Sequence, residues 1–228
     1  MLADFAALTT PLVADACVRC DVPLRAAPAG IRPVVPGQRV AGPAVPVRHV
    51  GSVDAFLEAF GTAAPGSVLV IDNAGREDEA CVGDLVVLEA RAAGVTALVV
   101  WGLHRDTQEL VEIGLPVFSY GSNPLGPLRL DPPEPAAPVR FGPHAVDPGD
   151  VVLGDEDGVL FVPAGRVEEV LTVAARIRDT EREQARRIRA GETLRRQTAF
   201  EDYLARRDAD PAYTFRRHLR RIGGAIEE

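Results

Sequence analysis

The chain contains no lysine: all 25 of its basic residues are arginine. A Schiff-base aldolase, a pyridoxal-phosphate enzyme and a Walker-type phosphate loop each need a lysine amine of their own, so all three are excluded. Carbonyl chemistry on such a chain needs another electrophile, and a metal ion is the obvious one. Long apolar runs are missing too. The longest, Val95 to Trp101, falls far short of the roughly 20 residues that span a bilayer, and no basic and apolar leader opens the sequence. A cytoplasmic protein with no membrane partner is expected. Cysteine is scarce, and three thiols cannot all pair with one another, which fits a reducing compartment. There is no excess of basic charge. With 33 acidic residues and a formal net charge of −8, the chain is a poor match for nucleic acid, so none is expected as a partner.

What is present is a chain of 228 residues, 46% hydrophobic, enough for one globular domain with an appended arm. Leu2 to Arg19 has helical spacing and reads as one or two short helices. From Gly30 to Val50 valines alternate with proline, glycine and arginine, a pattern that favours edge strands joined by turns. Ser52 opens SVDAFLEAF with a capping signature, so a helix follows. VLVID (68–72) and VTALVV (95–100) are apolar, β-branched runs that read as buried strands. Between them the acidic loop REDEA leads into GDLVVLEARAAG (83–94), which reads as a helix ended by glycine. Strand, loop, helix, strand is a βαβ unit with a right-handed crossover. LPVFSY (115–120) adds a third strand. Eight of the 19 prolines fall between Gly121 and Pro148, predicting extended loop. VDPGDVVLGDEDGVLFVP (146–163) reads as a β-hairpin turning at Gly154 to Gly158. Beyond Gly165, opposite charges three and four residues apart predict a helical arm, broken near Gly191.

The most informative cluster is Gly83-Asp84-Leu85-Val86, followed by Arg105-Asp106 and then Glu109. In a βαβ unit the first group sits at a helix N-terminus, where unpaired N–H groups attract an anion. Arg105 and Asp106 lie past the carboxyl end of the neighbouring strand, where open α/β sheets place ligands. An amide run, a fork-shaped cation and a carboxylate together fit a small 2-oxo acid and a hard divalent cation. His104 adjoins the pair and is read as lining the substrate pocket. Asp72 and Asn73 end a strand on the same rim and are further pocket candidates.

Other features read as structural. Cys17-Val-Arg-Cys20 has the spacing of a zinc or redox half-site but no second pair. His49 and His144 lie in turn-rich segments, as structural or exposed residues. Glu77, Asp78 and Glu79 read as a solvated loop, and Asp155 and Asp157 as a hairpin turn. The arginines from Arg186 onward interleave with glutamates, which favours a salt-bridged helix on a neighbouring subunit over RNA binding.

The ordered segments TTPLVADA, IRPVVPGQRVAGPAV, PGSVLVIDNAG and VDPGDVVLGDEDGVLFVP resemble the aldolase/RraA family. That family groups 4-hydroxy-4-methyl-2-oxoglutarate aldolases with the regulator of ribonuclease E activity A. Its recurring pattern is a glycine, a spacer, Arg-Asp, two residues and an acidic residue. Arg105, Asp106 and Glu109 match it residue for residue, and Gly83 matches with 21 residues between it and Arg105. The resemblance implies an α/β fold: a swivelling β/β/α three-layer domain over 1–164 and a C-terminal helical arm over 165–228 that packs on a neighbouring subunit. It implies a homotrimer or hexamer with a divalent metal, Mg2+ or Mn2+. By the same resemblance Arg105 binds pyruvate, Asp106 ligates the metal with Glu109 beside it, and the backbone at Gly83, Leu85 and Val86 holds the 2-oxo acid. Glu181, supplied by the adjacent subunit, acts through metal-bound water, which Asp84 and Glu181 tune as the base.

The function this implies is a divalent-metal-dependent lyase that cleaves a 4-hydroxy-2-oxo acid to pyruvate, with oxaloacetate decarboxylation as a second activity. The alternative on the same fold is a non-catalytic regulator that binds a protein partner such as a ribonuclease. Two departures from the family stand out. Trp101 and His104 replace small or acidic residues before the Arg-Asp pair, and the arm from Gln197 to Glu228 exceeds a typical aldolase tail.

Overall fold

In the computed structural model of the chain, residues 5–127 and 139–223 are described. Part of the proline-rich segment lies outside them. The chain divides into two compact units, Met1–Thr10 with Pro23–Val167, and Pro11–Val22 with Glu168–Glu228.

The first unit is built on a mixed seven-stranded sheet. Its strands are β1 (Arg32–Pro33), β2 (Val40–Arg48), β3 (Val68–Asp72), β5 (Ala97–Trp101), β7 (Val117–Ser119), β10 (Asp150–Asp155) and β11 (Gly158–Pro163), in the order β1-β7-β5-β3-β2-β10-β11. Two short ribbons accompany it: β4 (Ala80–Val82) with β6 (Leu103–His104), and β8 (Arg140–Phe141) with β9 (His144–Ala145). β2, β3, β5 and β7 run parallel, as the apolar runs in β3 and β5 require. Alternate residues of those runs serve two cores. Leu69, Ile71, Leu98 and Val100 pack with Phe56, Phe60, Val87 and Leu110 on the helical side. Val68, Val70, Ala97 and Val99 pack with Phe141, Val152 and Phe161 on the other. The result is an α/β fold of three layers, β/β/α.

β2 departs from the edge-strand expectation, because it lies inside the sheet despite Pro43 and Pro46. The reason is that it changes partner halfway. Val40–Pro43 pair only with β10, antiparallel, and Ala44–Arg48 only with β3, parallel. Each proline therefore has one side with no ladder to complete, which is what a residue without an N–H requires.

The helices of this unit, after α1 (Thr10–Arg19) at its boundary, are α2 (Asp54–Thr62), α3 (Asp84–Ala92) and α4 (Thr107–Ile113). Val53 holds the cap position of α2, and Ser52 just before it accepts from the Asp54 amide at a long 3.5 Å. The first turn is also served by Asp54 Oδ1 accepting from the Ala55 amide at 2.9 Å.

The second unit holds most of α1, then α5 (Val167–Arg189), α6 (Leu194–Gln197), α7 (Phe200–Ala209) and α8 (Phe215–Ile222). Val170, Leu171, Ala174 and Ile177 form the buried stripe of α5 at helical spacing. α7 and α8 meet through an aromatic cluster, with the Tyr203 ring 4.9 Å from Phe215 and 5.6 Å from His218. His218 is fully buried and satisfied, its Nε2 donating to Thr198 O at 2.8 Å.

Candidate active site

The ribbon β4–β6 is what assembles the site. Its strands are parallel, Ala80 opposite Leu103 and Val82 opposite His104, so the residues that follow each strand emerge at the same end. Gly83 follows β4 and caps α3, while Arg105 and Asp106 follow β6 and lead into α4. The Arg105 amide donates to Val82 O at 2.9 Å and ties the two exits together.

The approach to the glycine at this exit is close. A Cβ at Gly83 would run into Asp106 Oδ2 and come within 3.2 Å of Arg105 Cγ and Nε. At Gly126 a Cβ would lie 2.9 Å from Arg105 Nη1, so the arginine passes between two glycines. Asp106 itself is in the left-handed region, φ 59° and ψ 42°. Such a conformation costs on the order of 1–3 kcal/mol in a residue with a Cβ, least for Asp and Asn. It aims the carboxylate back at the α3 N-terminus. Asp106 Oδ2 accepts from the Asp84 amide at 3.3 Å and stands 3.5 Å from Arg105 Nε.

The expected amide cradle is partly used internally. The Asp84 amide serves Asp106, and the Leu85 amide donates to the Asp84 carboxylate at 2.7 Å. Val86 belongs to the same first turn and packs against the helical core, while the Leu85 side chain is 75% exposed. Glu109 is exposed on the first turn of α4, three residues from Asp106 and hence on its side of the helix.

His104 is buried, with both ring nitrogens engaged: Nδ1 with Ser119 Oγ at 2.7 Å and Nε2 with Thr107 Oγ1 at 3.0 Å. Burial lowers its proton affinity against the opposing pull of Asp106. Thr107, Ser119 and Gly126 carry no motif and were not legible as site residues.

The remaining candidates have structural partners. Asp72 is buried and accepts from the Ala74 and Arg140 amides, at 2.9 and 3.0 Å. Asn73 Oδ1 bonds His49 Nδ1 at 2.8 Å, and the His49 ring stacks on Phe56. His49 is buried, and that burial lowers its proton affinity. Glu79 is not solvated as the acidic run predicts: it is 1% exposed and pairs with Arg76 at 3.2 Å, because β4 draws the end of the loop into the core. Asp155 is the buried hairpin residue expected, accepting from the Thr10 and Asp157 amides. Cys17 is buried on α1 and Cys20 half-buried beyond it.

Glu181 lies on α5, in the second unit. Burial and then the neighbouring Asp15 carboxylate raise its proton affinity above that of an ordinary glutamate, with Arg19 opposing.

Among the described residues no group of three or more His, Cys, Asp or Glu side chains could hold a metal ion. A closed protein cage is therefore not what these residues offer. The donor chemistry fits another mode. Asp106 presents a carboxylate at the turn, flanked by Asp84 and Glu109 on adjoining first turns, and Mg2+ or Mn2+ commonly takes one or two carboxylates and completes its shell with water and substrate oxygens. Nor is any helix among the described residues long and apolar enough to cross a membrane.

Known proteins resemble this chain in sequence and in fold. A family model described as RraA-like, aldolase/RraA, matches residues 10–161. A protein of Halalkalibacterium halodurans named "Putative 4-hydroxy-4-methyl-2-oxoglutarate aldolase" is 35% identical over 146 residues, 63% of this chain and 69% of that protein. The crystal structure of an uncharacterized protein from Pseudomonas syringae pv. tomato superposes with a TM-score of 0.71 at 28% identity, covering 85% of this chain and 94% of that one. Streptomyces coelicolor RraAS2, described as an unusual member of the RNase ES inhibitor RraA protein family, gives 0.73 at 24% identity, over 82% and 97%, a likeness of fold.

Proposed function

The chain belongs to the aldolase/RraA family, and on that premise we propose that it is a divalent-metal-dependent lyase that cleaves a 4-hydroxy-2-oxo acid to pyruvate and also decarboxylates oxaloacetate. The observation that carries the reading is the convergence of Gly83, Arg105 and Asp106 at the end of the β4–β6 ribbon.

Arg105 grips the substrate carboxylate, since a guanidinium fork matches it bidentately. The first-turn backbone of α3 at Gly83, Leu85 and Val86 orients the 2-oxo acid against the positive end of the helix. Asp106, with Glu109 beside it, is the side on which a divalent cation, Mg2+ or Mn2+, supplies Lewis-acid stabilisation of the negative charge left on the substrate. In a lysine-free chain that stabilisation has no Schiff-base substitute. Asp84 and Glu181 take the hydroxyl proton through water. His104 packs behind the pair. The assembly that goes with this reading is a homotrimer or hexamer in which a neighbouring copy supplies Glu181, and it is supported by the family resemblance.

The test is pyruvate release from oxaloacetate and from a 4-hydroxy-2-oxo acid, with and without Mg2+ or Mn2+. Turnover that a chelator silences and added metal restores is expected. No pyruvate under any of these conditions ends the lyase reading and leaves the non-catalytic regulator.

A further inference from the structure

His104 and Thr107 bracket the two residues on which the lyase reading depends. Between them the chain leaves β6, passes through Arg105, turns left-handed at Asp106 and enters α4. The His104 ring spans that turn from beneath, with Thr107 Oγ1 at 3.0 Å from Nε2 and Ser119 Oγ at 2.7 Å from Nδ1.

Ser119 Oγ also accepts from the Gly121 amide at 3.2 Å and lies 3.3 Å from Gly121 O, which already accepts from the His104 amide at 2.9 Å. Either neutral tautomer of His104 completes the chain. With the proton on Nδ1 the ring donates to Ser119 Oγ and accepts from the Thr107 hydroxyl; with it on Nε2 the ring accepts from the Ser119 hydroxyl and donates to Thr107 Oγ1.

We propose that the Thr107–His104–Ser119 chain is a clamp that holds the Arg105–Asp106 turn in its working geometry, which makes His104 a positioning residue and not a lining of the substrate pocket. Three features require such a device. Asp106 occupies a conformation its Cβ disfavours, so the turn relaxes unless something holds it. Arg105 and Asp106 are partly exposed, with side chains 48% and 34% accessible, so packing alone does not fix them. β6 is two residues long and supplies little ladder of its own. The buried end of the clamp rests on β7, a strand of the main sheet, through Ser119.

The clamp rests on the lyase reading for its consequence and on the turn for its physics, and the two are measured separately. Thr107 is exposed, so Thr107→Val removes the hydroxyl without disturbing the core. Expected is a fall in kcat for oxaloacetate of about tenfold, the loss that goes with one positioning hydrogen bond, with KM raised less than kcat falls. Thr107→Ser, which keeps the hydroxyl, returns to within about twofold of the parent. His104→Gln, whose amide still reaches Thr107 from the Nε2 position, outperforms His104→Asn, which reaches only Ser119. In parallel, amide hydrogen exchange of the full chain speeds up at residues 105–108 and at Asp84, whose amide Asp106 accepts, in Thr107→Val, and is unchanged in β5.

Parent-like kcat and parent-like exchange in Thr107→Val overturn the clamp. Should the parent enzyme release no pyruvate, the lyase reading falls, and the exchange measurement alone decides the clamp. Should the His104 variants fail to fold, the Thr107 pair decides it.

Discussion

Arg187 and Glu192, in the second unit, meet at 2.5 Å with side chains 39% and 31% accessible, whereas Arg105 and Asp106, in the first, stand 3.5 Å apart at 48% and 34%. By length and exposure the α5 pair is the better ion pair. Its neighbours repeat the pattern, with Arg186 on Glu183 and Arg221 on Asp202. None of their residues has a positive φ, although Gly191, which precedes Glu192, does at 92°. At Arg105 the charges are unremarkable and the backbone is not: two glycines admit the arginine and a left-handed aspartate aims back at a helix start. The difference teaches that the proposed site is set apart from the other arginine pairs by its main chain, and not by which charges touch.

The comparison breaks most sharply on the site pair. Arg105→Ala and Asp106→Ala should each lower pyruvate release at least about 10³-fold, the scale of removing a charged group that acts on the transition state, while leaving the far-ultraviolet circular dichroism unchanged. If the loss is no larger than for Arg187→Ala, the two pairs are of one kind. Gly83→Ala is next. Its Cβ must push Asp106 Oδ2 aside, and a displacement of that order costs about 10²-fold in rate. A rate within twofold of the parent would show that the close approach is incidental.

A smaller effect separates the proton chemistry from the scaffold. Glu181 holds its proton to higher pH than an ordinary glutamate, through burial and then the Asp15 carboxylate. As pH falls through that raised value the base is lost, so the acid limb of the pH–rate profile lies above the usual glutamate range. Asp15→Asn removes the like charge and moves the limb down. An unmoved limb means that Glu181 is not the group titrating. Smallest of all is Arg187→Ala, which should leave both kcat and the melting temperature unchanged, as exposed ion pairs contribute little.

The legible parts of the fold were those with a strong local pattern. VLVID and VTALVV are long enough and apolar enough on both faces to be nothing but buried strands, and Gly94 ends α3 where its sequence says it should. β4 and β6 were invisible, because two or three residues carry no period and their pairing is decided twenty residues away. That blind spot fell on the element that builds the site. Arg105 and Asp106 were found by their spacing from Gly83, but the reason the spacing works, a parallel ribbon whose two exits coincide, is a tertiary fact. β2 misled for the opposite reason: Pro43 and Pro46 announce an edge, and the strand satisfies them by being an edge twice, once on each side.

The left-handed corner at Asp106 carries a consequence for how this chain can change. Asparagine would sit there at least as comfortably and could still accept from the Asp84 amide. The carboxylate is what the proposed chemistry asks for. On that reading, a copy of the gene released from turning over substrate drifts at this codon early, toward the easier residue.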